Sequence, residues 1–584
     1  MNPVDDNSGF MRSMNLTDDN SGFIRRLFMR HVRPGVISQV VSTLGPIVCG
    51  VIAGTVFGKT GLAVVGLFSP FFFLAGFFGT IIASGSSTLA AKYIAQNNDD
   101  RVTRIYTLAL LFSVLCAAVL FCAGLLLKAP ILSLLAGDGE LLEPASRFYM
   151  PSLWYTCFTI IVYIPLFWSR LLGKPSIAMV LTFTITGVSI ILGVWYTYGL
   201  EYGIEALAIA QALALGLSVF ASLILIYFSD NGIKFKIPNQ IRNDTIDLIV
   251  AGSPPGLSRL YRFLALLLVN AVLLNVYGTE AVAVFGVLNM LLRFVTALAN
   301  GISGVQMPIA SVLREERDIV SLRQLGRISF TFGNAAILLL SVAVLIFHQA
   351  VAAIFNISGA MFYTALVCFC IYLPFYMNGS LFISWYTAVR RVKLANIITF
   401  AQDILFPSLL VLLIAYIINT VPVWIHLPAS GILAAILLII TRKAGKTENF
   451  ATGTDLAFSV EREPDKASEA SAAVGNFCEE CGLDKRQSML LSMAIEEMVV
   501  LIAGQNPEGD NISIRLTKFE GGLVLRLRDS GSRFNPVGYY TQRLNSAENI
   551  EDNIDLMGIK YITEAAEIVY YRETFGVNNL VIII

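Results

Sequence analysis

The chain has 584 residues, of which 56% are hydrophobic and only 14% charged, and its 41 basic and 41 acidic side chains leave a formal net charge of zero. Soluble chains are about half apolar and about a quarter charged, so this composition excludes an ordinary soluble protein. The charge balance excludes a global pull toward nucleic acid or anionic lipid. Six of the eight cysteines lie in apolar stretches and form no disulfide framework.

The head repeats itself. MNPVDDNSGFMR, from Met1, recurs as MNLTDDNSGFIR, from Met14. The segment is polar and is expected to be disordered, as a tandem duplication without a role of its own; Met14 is a second candidate start. No cleavable signal precedes the first apolar run.

Apolar runs of about 20 residues are long enough to cross a bilayer about 30 Å thick. Twelve are predicted, at 36–57, 62–85, 105–127, 147–169, 175–198, 204–228, 248–276, 281–303, 327–347, 361–385, 393–419 and 421–441. Arginine and lysine crowd every second connection, including Arg25, Arg26, Arg170, Lys174, Arg390 and Arg391, whereas the alternate connections hold only Lys59, Lys128 and Arg147. That bias places both termini in the cytoplasm of a multi-pass plasma-membrane protein. VFGKTGLAVVGL at Val56 and VYGTEAVAVFGV at Val276 share one pattern, offset by 220 residues, before the second span of each half. Six spans per half make a parallel repeat, the architecture of transporters with a cavity between or within paired bundles.

Charge at mid-depth is confined to the second half: Arg259 and Arg262 in GSPPGLSRLYRFLALLLVN, Arg293 in the next span, and Asp403 in the eleventh. Asn270 closes the same stretch, while the first half offers uncharged polar groups such as Gln39, Thr182, Thr184 and Gln211. A charge at the bilayer centre costs about 2.5–3.5 kcal/mol on insertion scales, so these groups should face a cavity or a partner. Two readings stay open. One is an arginine–aspartate network that only joins helices; the other is a positive cavity for an anionic solute, lined by Arg259, Arg262, Arg293, Asp403, Gln39 and Asn270. Pro254 and Pro255 remove two backbone donors and should kink or break the seventh span.

After about residue 444 the composition turns mixed and charged. LAFSVE reads as a strand, 465–482 and 484–504 as helices, NISIRLTKFEGGLVLRLRDSG as a hairpin, a helix falls near 556–565, and EIVYYRETFGVNNLVIII closes as a second hairpin. This is an α/β sandwich with helices on one face of a mixed sheet. Cys478 and Cys481 form a lone CEEC; zinc would need a second pair or nearby histidines, so a chance helical pair is expected. No metal ligand set and no catalytic residue is assigned. The domains are thus 1–33, a polar and basic tail; 34–228 and 248–443, two six-helix lobes joined by 229–247; 444–455, a linker; and 456–584, the sandwich.

Residues 58–106, with GLAVVGL, a long apolar run and SGSSTLAAKY before the acidic NNDD, resemble the second span and following loop of multidrug and toxic compound extrusion (MATE) transporters. GSPPGLSRLYRF resembles the opening of their seventh span. The resemblance covers roughly 34–443 and implies a secondary transporter that exports solutes by alternating access, coupled to Na⁺ or H⁺. Where members carry an acidic cation ligand in the seventh span, this chain has Arg262; where another branch has an aspartate in the first span, it has Gly50. Like charges repel, so a cation will not bind beside Arg262, and an anionic substrate is expected instead. The excess of arginine would equally suit a flippase for a lipid-linked pyrophosphate.

The tail resembles the GHKL ATP-binding fold, nearest its anti-sigma-factor-kinase branch. DSGSRFNP (529–536) matches the box whose aspartate and glycine hold adenine, here Asp529 and Gly531. MAIEEMVV matches the N-box glutamate at Glu497, but its Mg²⁺-binding asparagine is Leu501, and DLMGIKYI keeps one phosphate-side glycine, Gly558. Mg²⁺ takes oxygen ligands, so the resemblance implies ATP as the cofactor without Mg²⁺-dependent hydrolysis or phosphotransfer. The partners expected are the bilayer, a small solute and a regulatory protein at the tail. No P-loop occurs, which excludes that form of ATP-driven pump. A membrane sensor with a degenerate kinase-like tail is the reading from a different class.

Overall fold

The computed structural model describes residues 20–96, 98–136, 141–227, 235–316, 318–355, 359–418, 422–444, 455–505, 511–519, 522–539, 564, 566–574 and 576–583. Contacts divide the chain into two units, 28–445 and a second comprising 1–27 with 446–584.

Thirteen helices among the described residues are long and apolar enough to cross a membrane. Twelve of them match the predicted spans: Gly22–Val56, Val64–Ile94, Asp99–Leu126, Leu142–Leu171, Ser176–Gly199, Glu205–Ile224, Ile241–Gly278, Glu280–Glu315, Ile319–Ile346, Ala360–Ala388, Val392–Ile418 and Val423–Thr441. The thirteenth, Lys485–Gln505, lies in the tail, where its apolar stripe of Leu491, Ala494, Ile495, Met498 and Ile502 is buried in that unit's core. Length and mean hydropathy alone do not distinguish it from a span; the one-sided stripe does.

The first of the described helices begins at Asn20, well before the tail boundary expected at residue 33. Phe23, Ile24, Leu27 and Phe28 fall on one helical face and are buried, whereas Arg25 and Arg26 are exposed. The seventh span likewise starts early, at Ile241, and runs through Pro254 and Pro255 without the expected break; the only non-helical backbone before Glu315 is at Gly278. A local substitution permits this. Pro254 has no N–H to give the Val250 carbonyl, and the Ser253 hydroxyl donates to that carbonyl instead, at 2.8 Å.

The internal repeat is visible in the backbone. Gly58 and Gly278, equivalent in the two copies of the motif, both adopt positive φ, +61° and +81°. L-residues with side chains avoid that region, so glycine makes the turn between the first two spans of each lobe. The lobes meet along the second and seventh spans, from Gly85 and Gly252 up to Phe73 and Phe263, whose ring centroids are 4.7 Å apart. There Gly85 and Gly252 pack main chain to main chain: a Cβ on Gly85 would lie 1.9 Å from the Leu248 carbonyl oxygen, and one on Gly252 would lie 2.0 Å from that of Ile81. Gly35 faces Gly301 similarly, and the Ser84 hydroxyl reaches the Met307 sulfur at 3.8 Å.

The tail holds a five-stranded sheet: β1 (Asp455–Val460), β2 (Ile512–Phe519), β3 (Gly522–Asp529), β4 (Ile568–Thr574) and β5 (Val577–Ile583), in the order β1-β2-β3-β5-β4. Both predicted hairpins form. Among the described residues the expected mixed sheet does not: every pairing there is antiparallel, including that of β3 with β5, which joins the two hairpins. Two helices, α1 (Ala467–Glu480) and α2 (Lys485–Gln505), pack on one face. Alternate strand residues, among them Phe458, Ile514, Leu525 and Ile582, meet the helical side chains Val474, Phe477, Leu491 and Met498 in one core. The predicted helix near 556–565 and Gly558 fall largely outside the described residues.

Candidate functional site

The mid-depth charges of the second lobe converge only in part. The Arg262 guanidinium donates from Nη1 to the Tyr376 hydroxyl at 2.8 Å and from Nε to the Ser258 carbonyl at 3.2 Å. The hydroxyl of the same serine donates to Asp403 Oδ2 at 2.5 Å. Ser258 therefore stands between the two charges, one turn from Arg262, giving a hydrogen bond to the acid and taking one from the base. Arg262 and Asp403 feel each other's charge without forming a direct ion pair. Thr296, from the eighth span, extends the chain by approaching the Tyr376 hydroxyl at 3.2 Å.

A backbone irregularity presents Asp403. The eleventh span winds as a π-helix over Ala401–Leu405 and returns to α-helix at Phe406, with Pro407 in the first turn. Proline cannot donate to the carbonyl four residues back and clashes with it, and widening the preceding turn relieves the conflict. The bulge carries Asp403 to a site where it is 5% exposed. The neighbouring Gln402 fits only because residue 379 is glycine, where a Cβ would overlap its Oε1.

Arg259 lies on a neighbouring face and takes different partners. Its guanidinium sits 5.1 Å from the Tyr163 ring centroid in the fourth span and packs on Gly76 in the second, a cation–π contact across the two lobes. Arg293 is exposed and joins neither group, and the side chains of Gln39 and Asn270 make none of these contacts. The six cavity residues predicted together thus separate: Arg262 and Asp403 share one network, Arg259 bridges the lobes, and Arg293, Gln39 and Asn270 stand apart. Sequence reasoning missed Ser258, Thr296 and Tyr376. All are uncharged, so neither insertion cost nor charge pattern marks them.

Arg170 was also missed, because it reads as one of the basic residues of a connecting loop. In the structure it ends the fourth span, is 5% exposed, and rests on Gly304 of the other lobe and near the Phe167 ring. Its Nε and Nη2 have no hydrogen-bond partner.

In the tail, Asp529 at the end of β3 accepts from Arg462 at 2.5 Å, from Asn578 Nδ2 at 3.1 Å and from the Gly531 N–H at 2.9 Å, all at Oδ1. Glu497 is half-buried on α2, and Leu501 packs against the hydrophobic core. Cys478 is fully buried, and burial pushes its thiol up to about 11. Among the described residues no cluster of His, Cys, Asp and Glu could hold a metal ion.

This arrangement of spans is a known one. Residues 34–195 match the MatE family model. An outward-facing multidrug resistance MATE transporter of the MOP superfamily superposes with a TM-score of 0.68 at 18% identity, over 72% of this chain and 95% of its own. A MOP-superfamily transporter from Pyrococcus furiosus, whose binding pocket is described as having reverse polarity that suggests a different function, superposes with a TM-score of 0.67 at 19% identity, over 72% and 96%. The multidrug export protein MepA of Staphylococcus haemolyticus is 22% identical over 253 residues, 42% of this chain. The chain spans about half (55%) of the length of that relative. The membrane unit is a multi-pass helical protein with the MATE fold.

Proposed function

We propose that the chain is a MATE-type secondary transporter that exports a small anionic solute by alternating access, and that Arg262 is the group that recognises it. The observation that carries this reading is the division of labour around Ser258. Asp403 is occupied by the serine hydroxyl, so the guanidinium keeps its charge without a direct carboxylate partner. A positive group at that depth is stable beside an anion and hostile to a cation. The reverse-polarity pocket described for the Pyrococcus relative is a precedent for such a departure within the fold. With the termini cytoplasmic, as the loop charges imply, the glycine-packed contact of Gly85 with Gly252 lies on the cytoplasmic side.

The tail serves this reading as a regulatory domain. Its residues do not fit Mg²⁺–ATP. Asp529 Oδ1 already accepts three hydrogen bonds from the protein, and Leu501, at the Mg²⁺ position, is an apolar side chain packed against the core with no oxygen to offer a metal. No chemical step is assigned to it.

The test is efflux of a panel of anionic and cationic fluorescent solutes from proteoliposomes under an imposed ion gradient. Wild-type protein should move anions. Arg262→Ala should lose that activity by about 10²-fold, the loss of one charge-assisted contact worth about 2–3 kcal/mol. Arg262→Glu should abolish it. Unchanged anion transport in both variants would overturn the assignment.

A further inference from the structure

We propose that the solute is a zwitterion, an α-amino acid or a small molecule built like one, with its carboxylate on Arg262 and its ammonium group on Asp403; this rests on the function proposed above, which already gives Arg262 the anionic end. Opposite charges frame the site. They are bonded to the two polar groups of one residue: the Ser258 carbonyl accepts from Arg262 Nε at 3.2 Å, and the Ser258 hydroxyl donates to Asp403 Oδ2 at 2.5 Å. Tyr376 takes Arg262 Nη1 at 2.8 Å. Each charge keeps one unspent atom. Among the described residues Arg262 Nη2 and Asp403 Oδ1 make no hydrogen bond, and neither is sealed from solvent as the orphaned Gln402 Oε1 is. Opposite charges at this depth gain from closing on each other. Here they stay apart, each with an atom open to a ligand.

The charges decide which ligand fits. Arg262 and Asp403 sum to zero. A simple anion on Arg262 would leave a net negative charge beside the carboxylate, and a simple cation on Asp403 would leave a net positive one beside the guanidinium; both are costly away from water. A zwitterion of reversed polarity leaves neither, and each of its ends makes a charge-assisted hydrogen bond to a free atom. Among the described residues Asp403 is the only carboxylate near the middle of a span, so the ammonium end has one place to go. The Tyr372 ring, itself buried, lies near both charges and 5.8 Å from the Tyr376 ring. An aromatic wall there excludes water and strengthens both contacts. One helical turn, about 5.4 Å, separates Ser258 from Arg262. That spacing suits charges carried on adjacent carbons and not the two ends of a long solute.

Calorimetric titration of the purified full-length protein with the common amino acids tests this, followed for each binder by two matched compounds: the acid lacking its amino group and the amine lacking its carboxylate. At least one amino acid should bind wild-type protein. Its deaminated acid should bind at least about 10-fold more weakly, the worth of one hydrogen bond between charged groups, and its amine should not bind. Asp403→Asn keeps the shape and an acceptor for Ser258. It should reduce amino-acid affinity to that of the plain acid and leave the plain acid's affinity unchanged or higher. Arg262→Gln should lose both. The wild-type comparison needs no variant to fold. A plain acid that binds as tightly as the amino acid, with Asp403→Asn changing neither, would overturn the zwitterion and leave the anion reading standing. An amine that binds as tightly, undisturbed by Arg262→Gln, would overturn both. Failure of every amino acid to bind would overturn the zwitterion.

Discussion

The two lobes share a frame and differ in what they hold inside it. Counting back 16 residues from the paired glycines places Arg262 of the second lobe opposite Ser42 of the first (278 − 262 = 58 − 42). Counting from the helix starts at Lys174 and Arg391 places Asp403 opposite Thr186, and counting from the helix ends at Leu172 and Val389 places Tyr376 opposite Thr159. Each member of the charged network therefore has an uncharged counterpart. Arg259 falls opposite Gln39 by the same count. At the glycine-packed half the asymmetry reverses: buried Arg170 in the first lobe stands where the second has Thr387, whose hydroxyl is satisfied by the Ile383 carbonyl at 2.7 Å. A duplicated scaffold has kept its helix ends and turns and has moved its charges apart, one lobe bearing them at mid-depth and the other at the seal.

The sharpest break in that comparison is Asp403→Leu. It leaves Arg262 without its nearby acid and should cost about 3–5 kcal/mol of stability, as a lowered melting temperature in detergent, whereas Thr186→Val in the other lobe should cost about 1 kcal/mol. Equal losses would mean that the lobes are energetically alike despite their charges. Next is Ser42→Arg, which copies the guanidinium into the lobe that has no acid to meet it. It should cost about 2.5–3.5 kcal/mol, and pairing it with Thr186→Asp should recover part of that. Arg170→Met removes a buried charge that lacks a full set of acceptors. It should stabilise the closed form by about 1–4 kcal/mol, a raised melting temperature with reduced opening by distance measurements. The smallest effect belongs to the tail: Cys481→Ser, at a half-buried position, should change stability by within about 0.5 kcal/mol and leave zinc content at background by mass spectrometry.

The spans were legible because about 20 apolar residues in a row admit few other readings, and all twelve formed. The tail's strands and hairpins were legible from alternation and glycine turns. The site was legible as charge but not as geometry. Nothing local to Arg262 announces Tyr376, which is 114 residues away, and the aim of Asp403 depends on a widened turn that Pro407 imposes from downstream. Pro254 suggested a break that the Ser253 hydroxyl averts. Arg170 reads as a loop cation because burial by the opposite lobe is a tertiary fact.

The main-chain contact between Gly85 and Gly252 has a consequence for how such a protein can change. A seam made of backbone atoms has no side chains whose replacement could tighten or loosen it by degrees, and any residue larger than glycine at either position acts as a wedge. Adjustment of the balance between the two states must therefore come from groups beside the seam, such as Arg170, while the seam itself stays fixed.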